Sequence, residues 1–108
     1  MSFDEIYEAV TRLVSANADK LSSIPDTVAD LNISGKHSGV LSVAVKGGKA
    51  KVVRGASASS EARISVSAED FTELINGRLN PMAAILSGRV SVSGNYAKLM
   101  GIMRAIRK

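Results

Sequence analysis

The chain reads as an α+β fold, an antiparallel sheet with helices covering one side, and three observations carry that reading. Strand-length segments alternate apolar with polar residues, so each strand has one apolar and one polar face. Segments with helical spacing of apolar residues stand before and after the run of four strands rather than between successive strands. Glycine, proline and capping residues separate the two kinds of segment with short connections. At 108 residues the chain is expected to form one domain.

Ser2, followed three residues later by Glu5, forms a capping box, with Asp4, Glu5 and Glu8 at the electropositive end of the first helix. Phe3, Ile6, Val10, Leu13 and Val14 make its apolar stripe, which continues towards Leu21. Ser22 to Asp26, containing Pro25, breaks the pattern. Ala29, Leu31 and Ile33 then alternate with Asp30, Asn32 and Ser34, and Leu41, Val43 and Val45 with Ser42, Ala44 and Lys46. Gly47-Gly48 is a two-residue hairpin turn into Ala50 to Arg54, where Val52-Val53 leaves the facing of the third strand open. Gly55 to Ser60 is small and polar, a loop. Ala62, Ile64 and Val66 mark the fourth strand.

Ser67 with Asp70 approximates a second capping box, Phe71, Leu74 and Ile75 line one face of the next helix, and Gly77 ends it. Asn80 caps a short helix with Pro81 in its first turn, where a missing N–H costs nothing. That helix, Met82 to Leu86, is apolar throughout and is expected to be buried around its whole circumference. Gly88 stops it, Val90 and Val92 alternate with Ser91 and Ser93, and Gly94-Asn95 turns into a last helix from Tyr96 to about Arg107. Tyr96, Leu99, Met100, Met103 and Ile106 form its stripe, flanked by Ile102.

Composition narrows the function classes. The 45% hydrophobic content is ordinary for a globular domain. Two Phe, two Tyr and no Trp mean that the core is built from Val, Ile, Leu, Ala and Met. The absence of cysteine removes disulfides and thiolate catalysis. With no signal-peptide pattern at the N-terminus and no apolar run long enough to span a bilayer, a cytoplasmic location is expected. The net charge of +4 concentrates at Lys46, Lys49, Lys51 and Arg54 and at Lys98, Arg104, Arg107 and Lys108. The first group suits a solvated sheet edge and the second a helix C-terminus. Neither has the interleaved aromatics or recognition helix that nucleic acid requires, so no nucleic-acid partner is expected; weak attraction to anionic membrane surfaces is.

Groups for catalysis are few. His37 is the sole histidine, in a glycine-flanked loop with no orienting partner. Glu69-Asp70 lies in a first helical turn, where it complements the helix dipole. The serines, among them Ser57, Ser59, Ser60, Ser87, Ser91 and Ser93, sit in no nucleophile elbow. A metal site, a cofactor and an enzyme acting alone are therefore not expected. Met82, Met100 and Met103 are more informative, since they fall on apolar faces of the last two helices. Their spacing suits a packed core, or the adaptable wall of an apolar pocket.

The run Ile64-Ser-Val-Ser-Ala-Glu-Asp-Phe71-Thr-Glu-Leu74, then Gly77, Asn80-Pro81, Ala84, Ser87-Gly88-Arg89, Val92 and Gly94-Asn95, resembles the sterol carrier protein type 2 domain family. In that family an alternating strand leads into a Ser-initiated helix ending in Gly, followed by Asp/Asn-Pro, Ser/Thr-Gly-Lys/Arg, a short strand and Gly-Asp/Asn. Two features depart from it: Glu61, where the family often has Asp, and the aliphatic Leu41, Val43 and Val45, where it often has aromatics. The resemblance implies a five-stranded, mostly antiparallel sheet with helices on one face and a lipid tunnel between them, holding fatty acids, acyl-CoAs or sterols. On it, the expected ligand-binding residues are Phe71, Leu74, Ile75, Met82, Ile85, Leu86, Leu99, Met100, Met103 and Ile106, with Arg78, Arg89 or Lys98 at the rim for a carboxylate or phosphate. The alternative is a structural or accessory module with a packed core, supporting a partner enzyme of lipid metabolism. Oligomeric state is left open.

Overall fold

In the computed structural model, which describes residues 2–35 and 38–106 without the side chain of Ile106, the nine expected elements appear in the expected order, with one further short helix after the first. Lys36, His37, Arg107 and Lys108 lie outside the described residues, and so do the expectations attached to them. Helix α1 (Phe3–Ala16) opens on a complete capping box, with Glu5 N donating to Ser2 Oγ at 3.2 Å and Ser2 N to Glu5 Oε1 at 3.1 Å. The stripe does reach Leu21, but not along one helix. Asn17 interrupts it, its Nδ2 donating to the Leu13 carbonyl at 2.8 Å, and α2 (Ala18–Leu21) resumes with Leu21 fully buried.

Five strands follow or intervene: β1 (Thr27–Ser34), β2 (Gly39–Lys46), β3 (Lys49–Arg54), β4 (Ala62–Ser67) and β5 (Val90–Gly94). They form one sheet in the order β3-β2-β1-β4-β5, antiparallel except for β1 with β4. Register aligns the apolar sets: Leu31 stands opposite Leu41 and Ile64, Val43 opposite Ala29 and Val52, and Val66 opposite Ile33 and Val90. Helices α1, α2, α3 (Ala68–Ile75) and α5 (Tyr96–Ile106) cover this face, and the buried side chains between them form one continuous core. Register also decides the facing of the third strand. Val52 packs on the core side opposite Val43, while Val53 points outward and is exposed. Arg54, on the core side of that edge, joins α1 through Asp4 at 2.8 Å and lies 4.3 Å from the centre of the Tyr7 ring.

The other face of the sheet is polar, and the β3–β4 connection crosses it. This crossover explains a group the alternation pattern had assigned to solvent. Asp30 is only 3% exposed; its Oδ1 accepts from Ser42 Oγ at 2.9 Å and from the Ser57 backbone N–H at 3.1 Å, and Arg63 Nη2 lies 3.4 Å from Oδ2. A carboxyl group buried under a loop needs such partners.

Two expectations about helices are corrected. Helix α4 (Pro81–Leu86), capped as expected by Asn80 Oδ1 accepting from Met82 N at 2.9 Å, is not buried all round. Pro81 and Ala84 are buried, but Met82 is 49% and Leu86 81% exposed. The helix is under two turns long and rests beside β5, an edge strand, so the sheet covers it on one side only. In α5 the buried residues are Leu99, Ile102 and Ala105, a stripe rotated by about one position from the one expected. Gly101 faces the segment after α2, where a Cβ would make ordinary contact with Ile24 Cγ2 at 3.9 Å. Ile102 is turned inward and buried, while Met100 is half-buried.

Thr27, 2% exposed at the start of β1, has a hydroxyl with no hydrogen-bond partner among the described residues. Thr27→Val keeps the shape and removes the unpaired group, so it is expected to raise stability by about 1 kcal/mol, read as a higher urea midpoint at unchanged slope.

Candidate functional site

The sheet and three helices line an apolar cavity of about 50 Å³. Its floor is Ala29, Leu31, Val43 and Ile64, on three neighbouring strands. Its roof is Phe71, Leu74 and Ile75 from α3 with Leu99, Ile102 and Met103 from α5, and Val10 of α1 closes one side. The local reasons are clear in α3. Ser67 Oγ accepts from Asp70 N at 3.1 Å and fixes the start, so that Phe71, Leu74 and Ile75 fall three and four residues apart on the inward face. Asp30 borders the cavity from its strand, with its carboxyl group on the opposite face among Ser42, Ser57 and Arg63.

Half of the expected ligand-binding residues meet at this cavity: Phe71, Leu74, Ile75, Leu99 and Met103. Four others do not line it. Met82 and Leu86 are exposed on α4, Ile85 is half-buried against the core, and Met100 is half-buried on the outer side of α5. The side chain of Ile106 lies outside the described residues. The floor and Val10 were absent from the expected set, although their alternation and stripe were read in the sequence. A roof over an apolar sheet face makes that face a floor, which is the signal that would have found them.

The rim cations differ in their commitments. Arg78 Nε lies 3.1 Å from Glu73 Oε2, and Lys98 Nζ bonds Glu61 Oε2 at 2.8 Å and the Asp26 carbonyl at 3.1 Å. Arg89 is exposed, with no ion pair among the described residues. Apart from Asp30, whose carboxyl group is turned to the other face of the sheet, the side chains that line the cavity are apolar, so it suits apolar atoms. Its volume is about a third of the roughly 150 Å³ apolar cavity that admits benzene. As it stands the cavity is too small for an alkyl chain. No three His, Cys, Asp or Glu side chains among the described residues are grouped to hold a metal, and no helix among them is long and apolar enough to cross a membrane.

Comparison with known proteins follows the same outline. The model of the SCP-2 sterol transfer family matches residues 7–107. Among solved structures, sterol carrier protein 2 from Yarrowia lipolytica, in its apo form, is 17% identical with a TM-score of 0.70, over 94% of this chain and 86% of that one. The palmitated SCP2L2 of Aedes aegypti is 19% identical with a TM-score of 0.67, over all of this chain and 96% of that one. The inverting sec-alkylsulfatase Pisa1 from Pseudomonas sp. shares the fold at 14% identity and a TM-score of 0.70, but this chain spans only 14% of its length. At such identities these likenesses show the fold; the family match, which runs over nearly the whole chain, shows descent. The chain belongs to the SCP-2 sterol transfer family and has its lipid-carrier fold.

Proposed function

We propose that this chain is a non-enzymatic carrier of a long-chain apolar ligand, a fatty acid or acyl-CoA in preference to a sterol, held between the sheet and helices α3 and α5. The apolar lining of the cavity under those helices, where Asp30 is the one polar residue and turns its carboxyl group away, is the observation that carries the reading. Burying one CH₂ contributes ~0.8 kcal/mol, so eight chain carbons supply ~6 kcal/mol before ordering costs. Micromolar affinity then needs no polar chemistry in the chamber, and of Arg78, Arg89 and Lys98 it is Arg89 that has no ion pair among the described residues and can meet a carboxylate or phosphate outside it. The palmitated relative supports the fatty-acid choice.

The small cavity favours a second reading, a packed accessory module that supports a partner enzyme, as the presence of this fold within a much longer sulfatase chain suggests. Native mass spectrometry of the purified protein, with displacement of a fluorescent fatty acid, separates the two. The carrier reading expects a protein–lipid mass and displacement by palmitate at micromolar concentration. A clean apo mass with no displacement would sink it and leave the accessory module.

A further inference from the structure

Charge is divided unevenly along this chain. Residues 1–73 carry eight Lys and Arg against ten Asp and Glu, whereas residues 74–108 carry six Lys and Arg and no acidic residue at all. The second part builds α4, β5 and α5, and it is also where large apolar side chains stand in solvent. Met82 and Leu86, four residues apart, share the outer face of α4. Tyr96 reaches them from α5, its hydroxyl 3.7 Å from Met82 Sδ, and Met100 and Arg104 continue the same face of α5. Arg89 follows α4 directly, its backbone N–H donating to the Ala84 carbonyl at 2.9 Å. Protruding Leu and Met, a Tyr between them and two cations without ion pairs among the described residues thus form one surface.

We propose that this α4–α5 surface docks on a lipid bilayer with anionic headgroups, inserting Leu86 and Met82 while Arg89 and Arg104 meet the headgroup phosphates. The mixture of apolar tips, a Tyr at the boundary and flanking cations is what an interfacial site requires. Each Lys or Arg near an anionic surface contributes about 1 kcal/mol, and a bilayer satisfies both the charge and the apolar side chains together. Other faces lack one half of this combination. The outward side of α1 carries Asp4, Glu5 and Glu8 against Arg12. The outer face of the β2–β3 hairpin carries Lys46, Lys49 and Lys51, but Val53 is its sole exposed large apolar side chain. The inner side of α5 roofs the cavity through Leu99, Ile102 and Met103, so a bilayer bound to its outer side sits against an element of the cavity roof.

Co-sedimentation with vesicles of phosphatidylcholine alone, and of phosphatidylcholine mixed with phosphatidylglycerol, tests the surface. The wild type is expected to bind the anionic vesicles at least about tenfold more tightly, with the difference shrinking as salt rises. Leu86→Glu and Arg89→Glu, both at exposed positions, are each expected to lose about tenfold on anionic vesicles while far-UV circular dichroism is unchanged. Lys49→Glu, on the hairpin, is expected to retain most of the binding. Equal binding to both vesicle types, wild-type binding by Leu86→Glu and Arg89→Glu, or loss confined to Lys49→Glu would each overturn the assignment. So would a wild-type dimer in sedimentation velocity that Leu86→Glu converts to monomer, because the patch would then be covered by a second copy. Vesicle binding needs no ligand in the cavity, so its failure is distinguishable from failure of fatty-acid binding.

Discussion

Phe71→Ala is expected to lower unfolding stability by about 3–5 kcal/mol, a large part of the total for a chain of this size. Phe71 is 6% exposed, anchors α3 to the sheet and roofs the cavity, so its loss joins the volume of a ring to an existing void. With few other rings in the chain, no neighbouring aromatic can collapse into the space. The variant also discriminates between functional readings. If the space under α3 and α5 is a ligand site, saturating palmitate binds the folded variant and restores part of the loss. At a hundred times the dissociation constant the gain is about 2.7 kcal/mol. A thermal-denaturation series with and without palmitate should show a larger ligand-induced rise for the variant than for the wild type, whose cavity of about 50 Å³ must first open. A loss of stability that palmitate does not reverse would fit the packed accessory module.

The strands were legible because alternation over several residues has one physical solution, an apolar face against a core and a polar face away from it. Capping was equally readable: Ser2, Ser67 and Asn80 all cap as their neighbours imply, since these hydrogen bonds join residues two or three apart. Failures came where the outcome depends on what stands on an element's far side. The α4 sequence is apolar all round, and its composition carries no trace of the fact that β5 is the last strand of the sheet. Its exposed Met82 and Leu86 therefore dropped out of the cavity. In α5 the expected seam contains Met100 and is only flanked by Ile102, whereas the structure buries Ile102 and leaves Met100 half-buried, a choice between neighbouring apolar positions that helical spacing does not make. Asp30 reads as a polar residue on the solvent side of a strand. Only the path of the β3–β4 connection, which brings Ser57 to it, buries it.

The glycine that ends β5 should be the most sensitive small residue in the fold. Gly94 stands opposite Ala62, its φ is +85°, and a Cβ built on it would collide with the Glu61 carbonyl oxygen and lie 2.8 Å from Ala62 Cα. Both neighbours are backbone, Ala62 at the start of the adjacent strand and Glu61 just before it, so neither can swing aside. The same place holds Asn95 N donating to the Glu61 carbonyl at 2.9 Å, the bond that leads the chain into α5 and over the cavity. Gly94→Ala therefore meets two costs, about 1–2 kcal/mol for the left-handed conformation and about 1–3 kcal/mol for overpacking against β4. Gly88 separates them. Its φ is +81°, close to that of Gly94, yet a Cβ there meets nothing within 4 Å. Gly88→Ala is expected to shift the urea midpoint by the conformational cost alone, and Gly94→Ala by about twice as much or more. The separation between the two midpoints then measures how tightly β5 is pressed against β4. Equal midpoints would mean that the two strands part easily there, and that the end of β5 does not hold α5 in place over the cavity.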